Sequence, residues 1–86
     1  MFYIFSQNKK VVTPFGEDTL IVKISEGKFK LFLVTEDING NNEYVVLGTF
    51  ETERQYTTCI RGILDKYTNS NGNGYYEINS AKYYNY

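Results

Sequence analysis

Apolar side chains recur at helical spacing between residues 52 and 67. Their spacing places them in one stripe along a helix, and a helix of this length needs a sheet to cover that stripe. Thr52 and Gln55 have the spacing of a capping box, which predicts that the helix begins directly after Thr52. Gly62 is either tolerated on a flank of this helix or required for the close approach of another backbone. The residues of the stripe are Tyr56, Cys59, Ile60, Ile63, Leu64 and Tyr67.

Alternating apolar positions on both sides of Glu26-Gly27 predict a β-hairpin of residues 19–25 and 28–35 with a two-residue turn. One face of this hairpin, the inner face, is apolar throughout, and we expect the helix to cover it. The pairs that this register places there are Leu20 with Leu33, Val22 with Leu31, and Ile24 with Phe29.

The opposite face of the predicted sheet, called the outer face below, is also apolar at one end. Asn39-Gly40 is a strong hairpin signal and predicts a third strand from Tyr44 onward. A loop of two or four residues gives this strand the same side-chain parity, with Tyr44, Val46 and Gly48 on the inner face. The apolar residues then predicted for the outer face are Ile21, Phe32, Val34, Val45 and Leu47, with Lys23, Lys28 and Lys30 at its other end.

A sheet face of this kind needs a cover, because exposed apolar patches mark interaction sites. The candidates are an N-terminal hairpin of residues 2–5 and 11–13, the aromatic C-terminal segment, a second subunit, and a functional partner. Residues 74–79 have strand character and could add to a sheet edge. These elements predict an α+β fold, an antiparallel meander of about five strands packed by one α-helix at 52–67, with PH-like curvature as one form. Residues 1–79 form a single domain, and 80–86 form a flexible or partly docked tyrosine-rich tail.

Composition limits the classes of function. The chain has 86 residues, enough for one core, and its net charge of −1 argues against both a strong polyanion binder and an acidic DNA mimic. Its single cysteine, Cys59, lies in the apolar stripe and is interpreted as a small buried hydrophobe. We find no signal peptide and no apolar run long enough to span a membrane, so we expect a cytoplasmic protein.

No pattern in the sequence supports a catalytic or ligand-binding site. Glu17-Asp18 and Glu36-Asp37 are carboxylate pairs, but neighbours in a strand point to opposite faces and the chain has no histidine to act as a general base. Asp37, Asn39 and Asn41 imitate the first ligands of a calcium loop, yet the glycine and glutamate that such a loop needs further on are missing. Hairpin turn chemistry explains them. We therefore expect no enzyme activity, no metal and no cofactor.

Tyrosines are the most abundant aromatic residues, and the chain contains nine of them. Tyrosine is enriched at protein interfaces because it buries a large area at a small cost in rotamer entropy. We interpret five tyrosines near the C-terminus as candidates for contact with a partner. The alternative is that Tyr75 and Ile78 pack on the domain and the rest is disordered. The candidates are Tyr75, Tyr76, Tyr83, Tyr84 and Tyr86.

Residues 4–10 are Ile-Phe-Ser-Gln-Asn-Lys-Lys, residues 47–54 are Leu-Gly-Thr-Phe-Glu-Thr-Glu-Arg at the start of the predicted helix, and residues 75–78 are Tyr-Tyr-Glu-Ile after it. These segments resemble a family of small, mostly uncharacterised proteins of phages and prophages of low-GC Gram-positive bacteria. The first is similar to the family's Ile-Ser-Gln-Asp-Lys start, the second to its Leu-Gly-x-Tyr-x-Thr-Glu-Glu-Arg approach to a single helix, and the third stands where the family has a short aromatic segment. The resemblance implies a cytosolic accessory protein, a strand meander closed by a helix, and it implies no activity.

The sequence thus predicts a non-enzymatic protein-binding module of phage type, whose partner is a host or phage protein. One form of it is an inhibitor of a host or defence protein that acts by steric occupation. The first alternative is a nucleic-acid-binding accessory protein that uses Lys23, Lys28 and Lys30, because lysines beside an aromatic ring suit phosphates and bases. The second alternative is a structural homodimer in which the outer face pairs with itself.

Overall fold

The computed structural model describes residues 1–16 and 18–85. Glu17, one of the two adjacent carboxylates of Glu17-Asp18, and Tyr86 of the predicted tail lie outside the described residues. The elements are β1 (Phe2–Phe5), β2 (Val12–Phe15), β3 (Thr19–Ser25), β4 (Lys28–Glu36), β5 (Asn42–Phe50), α1 (Glu53–Asn69), β6 (Gly74–Glu77) and a 3-10 turn (Ala81–Tyr84).

The strands form two sheets of three strands each, which confirms the α+β class. The meander β3-β4-β5 is one sheet, and the order β2-β1-β6 makes the other, with β6 parallel to β1. The N-terminal hairpin therefore does not continue the meander but pairs with the segment after the helix, whose strand character the sequence predicted without naming its partner strand. Within the described residues the two sheets do not close into a barrel.

Helix α1 begins as its capping chemistry predicts. The Gln55 N–H donates to the Thr52 hydroxyl at 3.2 Å, and the Gln55 side-chain oxygen accepts from the Thr52 N–H at 3.3 Å. The helix ends at Asn69, two residues beyond the predicted end. Its last carbonyls are satisfied by the N–H groups of Ser70 and Gly72, and Gly72 adopts a φ of +75° that suits glycine. This termination explains the extra half turn.

The core lies between the inner face of the β3-β4-β5 sheet, the helix stripe and the N-terminal sheet. Helix α1 contacts β4, β5, β6 and the 3-10 turn, so its stripe is covered from both sheets. Leu64, at the margin of the stripe, stays 45% exposed. The buried apolar side chains are Phe2, Ile4, Phe15, Leu31, Leu33, Leu47, Phe50, Cys59, Ile63, Ile78 and Tyr84.

Gln7 joins the two sheets. Its backbone N–H donates to the Leu47 carbonyl at 2.8 Å, and its side-chain amide exchanges two hydrogen bonds with the backbone of Thr49, at 3.0 and 3.1 Å. The amide also donates to the Asn79 carbonyl at 3.3 Å. The backbone and side chain of a single residue thus replace a neighbouring strand along the end of β5. Gly48 leaves room for it, because a Cβ there would lie 3.2 Å from the Gln7 Cβ.

The β4-β5 pairing corrects the predicted parity of β5. Leu31 pairs with Gly48 as predicted, but a β-bulge follows, and Phe32 pairs with Val46 and Leu33 with Val45. The connecting loop has five residues, 37–41, and its odd length agrees with the bulge. The residues that precede the bulge on β5 therefore have the opposite parity from the one predicted.

The bulge moves two predicted outer-face residues inward. Leu47 is 1% exposed and belongs to the core, and Val45 packs against the core from its margin. The prediction that Val45 and Leu47 lie on the outer face is wrong. Tyr44 and Val46 occupy that face instead, opposite Val34 and Phe32.

Gly62 is explained by a close approach, although the approaching group is a side chain and not a backbone. A Cβ at this position would lie 2.7 Å from the Tyr76 hydroxyl oxygen and 3.2 Å from two of its ring carbons. Tyr76 lies on β6, and its hydroxyl is 2.9 Å from that of Tyr84. The helix therefore sits directly against an anchored tyrosine.

We expect Gly62→Ala to lower the free energy of unfolding by about 1 kcal/mol, because overpacking, at about 1–3 kcal/mol, exceeds the helix-propensity gain of about 0.5–1 kcal/mol. Urea denaturation of the wild type and the variant measures the difference. The control is the same substitution in a Tyr76→Phe background, which lacks the nearest atom, and there the loss should be smaller. Equal stabilisation by alanine in both backgrounds would contradict a restrictive contact.

Candidate interaction surface

The β3-β4 hairpin has the predicted register, so the outer face combines the residues that the sequence assigned to it from these strands. Ile21 pairs with Phe32, and Lys23 pairs with Lys30. The turn residues Glu26 and Gly27 have φ values of +53° and +76°, as a two-residue turn of type I′ requires. The outer face as observed consists of Ile21, Lys23, Lys28, Lys30, Phe32, Val34, Tyr44 and Val46.

The segments proposed as covers of this face pack elsewhere. Phe2 and Phe15 of the N-terminal hairpin, and Ile78 of the C-terminal segment, belong to the same core as Leu31 and Leu33, on the inner side of the sheet. These two of the four candidates for a cover are therefore excluded. The reason is that the inner face needed both of them as well as the helix.

The exposure of its side chains shows the outer face open to solvent. Tyr44 is 50% and Val46 47% exposed, and Ile21, Phe32 and Val34 are half-buried. All five are apolar or aromatic, and they come from the three strands of one sheet. A contiguous apolar surface of this kind is typical of an interaction site.

Lys23 and two aromatic rings form one cluster across this face. The Lys23 Nζ lies 4.6 Å from the centre of the Tyr44 ring and 5.9 Å from that of Phe32. The two rings meet edge to face, with their centres 6.3 Å apart. A cation over an exposed ring contributes about 0.5–1 kcal/mol, so the cluster orders the centre of the face. One face of the Tyr44 ring is consequently occupied by the lysine.

The three outer-face lysines form no salt bridge with the described residues, 1–16 and 18–85. In the described part of the chain the salt bridge joins Lys9 to Glu77, at 3.5 Å, and none involves Lys23, Lys28 or Lys30. These lysines lie at the turn end of the sheet, because Lys28 follows the turn directly and Lys23 pairs with Lys30. The outer face is thus apolar at one end and positively charged at the other.

The C-terminal tyrosines do not form one surface. Tyr75 and Tyr83 are 58% and 55% exposed, while Tyr76 is half-buried beside the helix. Tyr84 is buried in the core, 1% exposed, and its hydroxyl accepts a hydrogen bond from the Asn79 N–H at 3.0 Å. The sequence analysis named Tyr84 as a candidate for contact with a partner, but the structure places it in the core. Burial raises the pKa of its phenol, and so does the hydrogen bond with Tyr76.

The side chains that catalysis or metal binding would use have structural roles. Cys59 is fully buried, and burial raises the pKa of its thiol to about 12, so the thiol stays protonated and unreactive. The Asp37 carboxylate accepts the N–H groups of Asn41, at 2.9 Å, and Asn39, at 2.8 Å, which lowers its pKa. It closes the β4-β5 loop, as hairpin turn chemistry predicted. Among residues 1–16 and 18–85, no three His, Cys, Asp or Glu side chains cluster as metal ligands would.

A surface depression on the helix has no arrangement typical of a binding cleft. It has a volume of about 620 Å³ and lies on the solvent side of α1. Every residue that lines it belongs to this one helix, so it is a gap between exposed side chains and not a cleft between elements. Its lining residues are Glu53, Arg54, Thr57, Thr58 and Arg61.

The fold and the surface together define an α+β protein of two three-stranded sheets and one helix, with an uncovered apolar and basic outer face. Comparison of the chain with protein-family models, with curated proteins and with solved structures gives no match. No helix in the described part of the chain is long and apolar enough to cross a membrane.

Proposed function

We propose that this protein is a non-enzymatic binding module that holds another protein against its outer face. The observation that carries the proposal is the open apolar surface of Phe32, Tyr44 and Val46, on the side of the sheet away from the core. The resemblance of the sequence to phage-type accessory proteins suggests the partner, a host or phage protein in the cytoplasm. Binding would block this partner by steric occupation.

The composition of the outer face specifies the surface that fits it. Its apolar end needs an apolar patch on the partner, with a central side chain that packs beside the Phe32 and Tyr44 rings. Its basic end, with Lys23, Lys28 and Lys30, favours carboxylates at one side of that patch, because paired charges steer association. The partner surface is therefore apolar with an acidic margin.

Nucleic acid is the second candidate, since within residues 1–16 and 18–85 no salt bridge involves the three lysines, and they could contact phosphates. The ring geometry favours it less. The Lys23 ammonium lies over one face of the Tyr44 ring, so a base could not stack on that face. A net charge of −1 also gives little general attraction to a polyanion.

The test is affinity capture from a nuclease-treated lysate of a Gram-positive host, followed by measurement of the affinity for the captured protein. We expect Tyr44→Ser combined with Val46→Ser to weaken binding at least about tenfold, which corresponds to about 1.4 kcal/mol. Lys23→Glu should also weaken binding, and the loss of affinity should be larger in low salt than in high salt, because salt screens charges. The matched control is Tyr75→Ser, a tyrosine of the other sheet that is 58% exposed against 50% for Tyr44, and this variant should bind like the wild type.

Two results decide against the proposal. Binding that survives the Tyr44 and Val46 substitutions, in a variant whose circular dichroism matches the wild type, would move the contact away from the outer face. Loss of every captured protein after nuclease treatment, with nucleic acid binding that weakens steeply as salt rises, would establish the second candidate.

A further inference from the structure

The free edges of the two sheets differ in how well they are protected. Strand β2 carries Pro14, which has no N–H to offer, and β6 has only four residues. Strand β5 is interrupted by its bulge and carries Gln7 along its end. Strand β3 has seven residues, no proline and a single lysine, Lys23. Proteins usually block such an edge because it attracts another strand.

The direction of the backbone groups along β3 follows from its turn. A two-residue turn of type I′ is closed by a hydrogen-bonded pair, here Ser25 with Lys28, and such pairs alternate along an antiparallel ladder. Leu20, Val22 and Ile24 therefore direct their N–H and C=O groups away from β4. In the described part of the chain β3 pairs with no other strand, and no turn or loop hydrogen bond reaches these residues.

The sequence of β3 is complementary to itself in the antiparallel direction. With Val22 opposite Val22 of a second copy, Leu20 lies opposite Ile24, and the polar ends, Thr19 and Ser25, also meet. This register brings the outward-directed N–H and C=O groups of Leu20, Val22 and Ile24 face to face and pairs all seven residues of the strand.

Charge selects this register over its neighbours. Lys23 lies opposite Ile21 of the second copy, so the two ammonium groups are not directly paired. A shift by one pair in one direction places Lys23 opposite Lys23, and like charges directly opposite each other are destabilising. A shift in the other direction leaves Ile24 beyond the end of the partner strand.

We propose that two copies of this chain associate through β3, antiparallel about a two-fold axis at Val22, and join their meanders into one six-stranded sheet. Ile24 is 74% exposed in the single chain, and Leu20 of the second copy would cover it. Ile21 and Lys23 of the two copies adjoin on the outer side, so the two outer faces become continuous. The association stands apart from the proposed binding function, since it uses the strand edge and leaves Tyr44 and Val46 open.

Sedimentation equilibrium over a range of concentrations tests the association. The wild type should approach twice the mass of one chain as concentration rises. Ile24→Pro removes an outward N–H without breaking the ladder to β4, and Ile24→Lys places a charge opposite Leu20, so each should weaken association at least about tenfold. Ile38→Lys is the matched control, because Ile38 is 99% exposed in the β4-β5 loop, and it should associate like the wild type.

Amide hydrogen exchange tests the geometry. The N–H groups of Leu20, Val22 and Ile24 should gain protection as the wild-type concentration rises, while exposed loop amides do not. A mass of one chain at every concentration, or a dimer that Ile24→Pro leaves intact, would overturn the proposal. Protection of these amides that appears only with another protein bound would also overturn it, in favour of an added strand from that protein.

Discussion

Tyr84→Ala should lower the free energy of unfolding by about 3–5 kcal/mol, the loss typical of a buried aromatic side chain. Tyr84 is 1% exposed, and its ring packs against Phe50 with the ring centres 6.0 Å apart. Its hydroxyl also bonds to the Tyr76 hydroxyl and the Asn79 N–H. Alanine therefore leaves a cavity and removes a partner from two polar groups.

Urea denaturation of Tyr84→Ala beside Tyr83→Ala measures this effect with a matched neighbour. Tyr83 is 55% exposed, so its replacement should change stability by less than about 1 kcal/mol. Tyr84→Phe keeps the ring and loses the hydroxyl, and an intermediate loss of about 1–3 kcal/mol is expected. If Tyr84→Ala behaved like Tyr83→Ala, the C-terminal turn would not be part of the core in solution.

Leu47→Ala should lower the free energy of unfolding by about 2–5 kcal/mol, whereas Val46→Ala should change it by less than about 1 kcal/mol. Leu47 is 1% exposed, because the β-bulge turns it into the core. Val46 is 47% exposed on the outer face and loses little packing. The difference between the two stability losses therefore shows which of these neighbouring residues faces the core.

The same denaturation experiment on both variants distinguishes the bulged register from an unbroken one. An unbroken ladder that starts from the predicted turn would place Val46 in the core and Leu47 on the outer face, so the order of the two losses would reverse. A larger loss for Val46→Ala would therefore contradict the bulge. Affinity for the captured partner is a second test of the parity of β5, because Val46 variants should bind more weakly although they remain folded.

Local chemistry in the sequence predicted much of this molecule. The capping box of Thr52 and Gln55 specified the start of the helix, since both hydrogen bonds join residues three apart in the chain. The two-residue turn at Glu26-Gly27 specified every pair of the β3-β4 hairpin. From that register came the part of the outer face that the structure confirms, Ile21, Phe32, Val34 and the three lysines.

The side-chain parity predicted for β5 was wrong, because parity depends on the length of the connecting loop and on the β-bulge. The Asn39-Gly40 signal indicated a hairpin but not that the Asp37 carboxylate would close a five-residue loop. Tyr44 and Val46 were missed on the outer face for this reason. The one signal in the sequence was Asp37 itself, since aspartate at the start of a loop commonly accepts backbone N–H groups two residues on.

The sequence by itself determined the start of the helix, the β3-β4 hairpin, the strand character of residues 74–77 and the apolar outer end of β3 and β4, because each depends on spacing within one short segment. Only the tertiary structure decided the division into two sheets, the bridge of Gln7 to Thr49 across 42 positions, the burial of Tyr84 and the contact of Tyr76 with Gly62. Those features join segments far apart in the chain, and competition for one small core settled which apolar side chains were buried and which remained on the outer face.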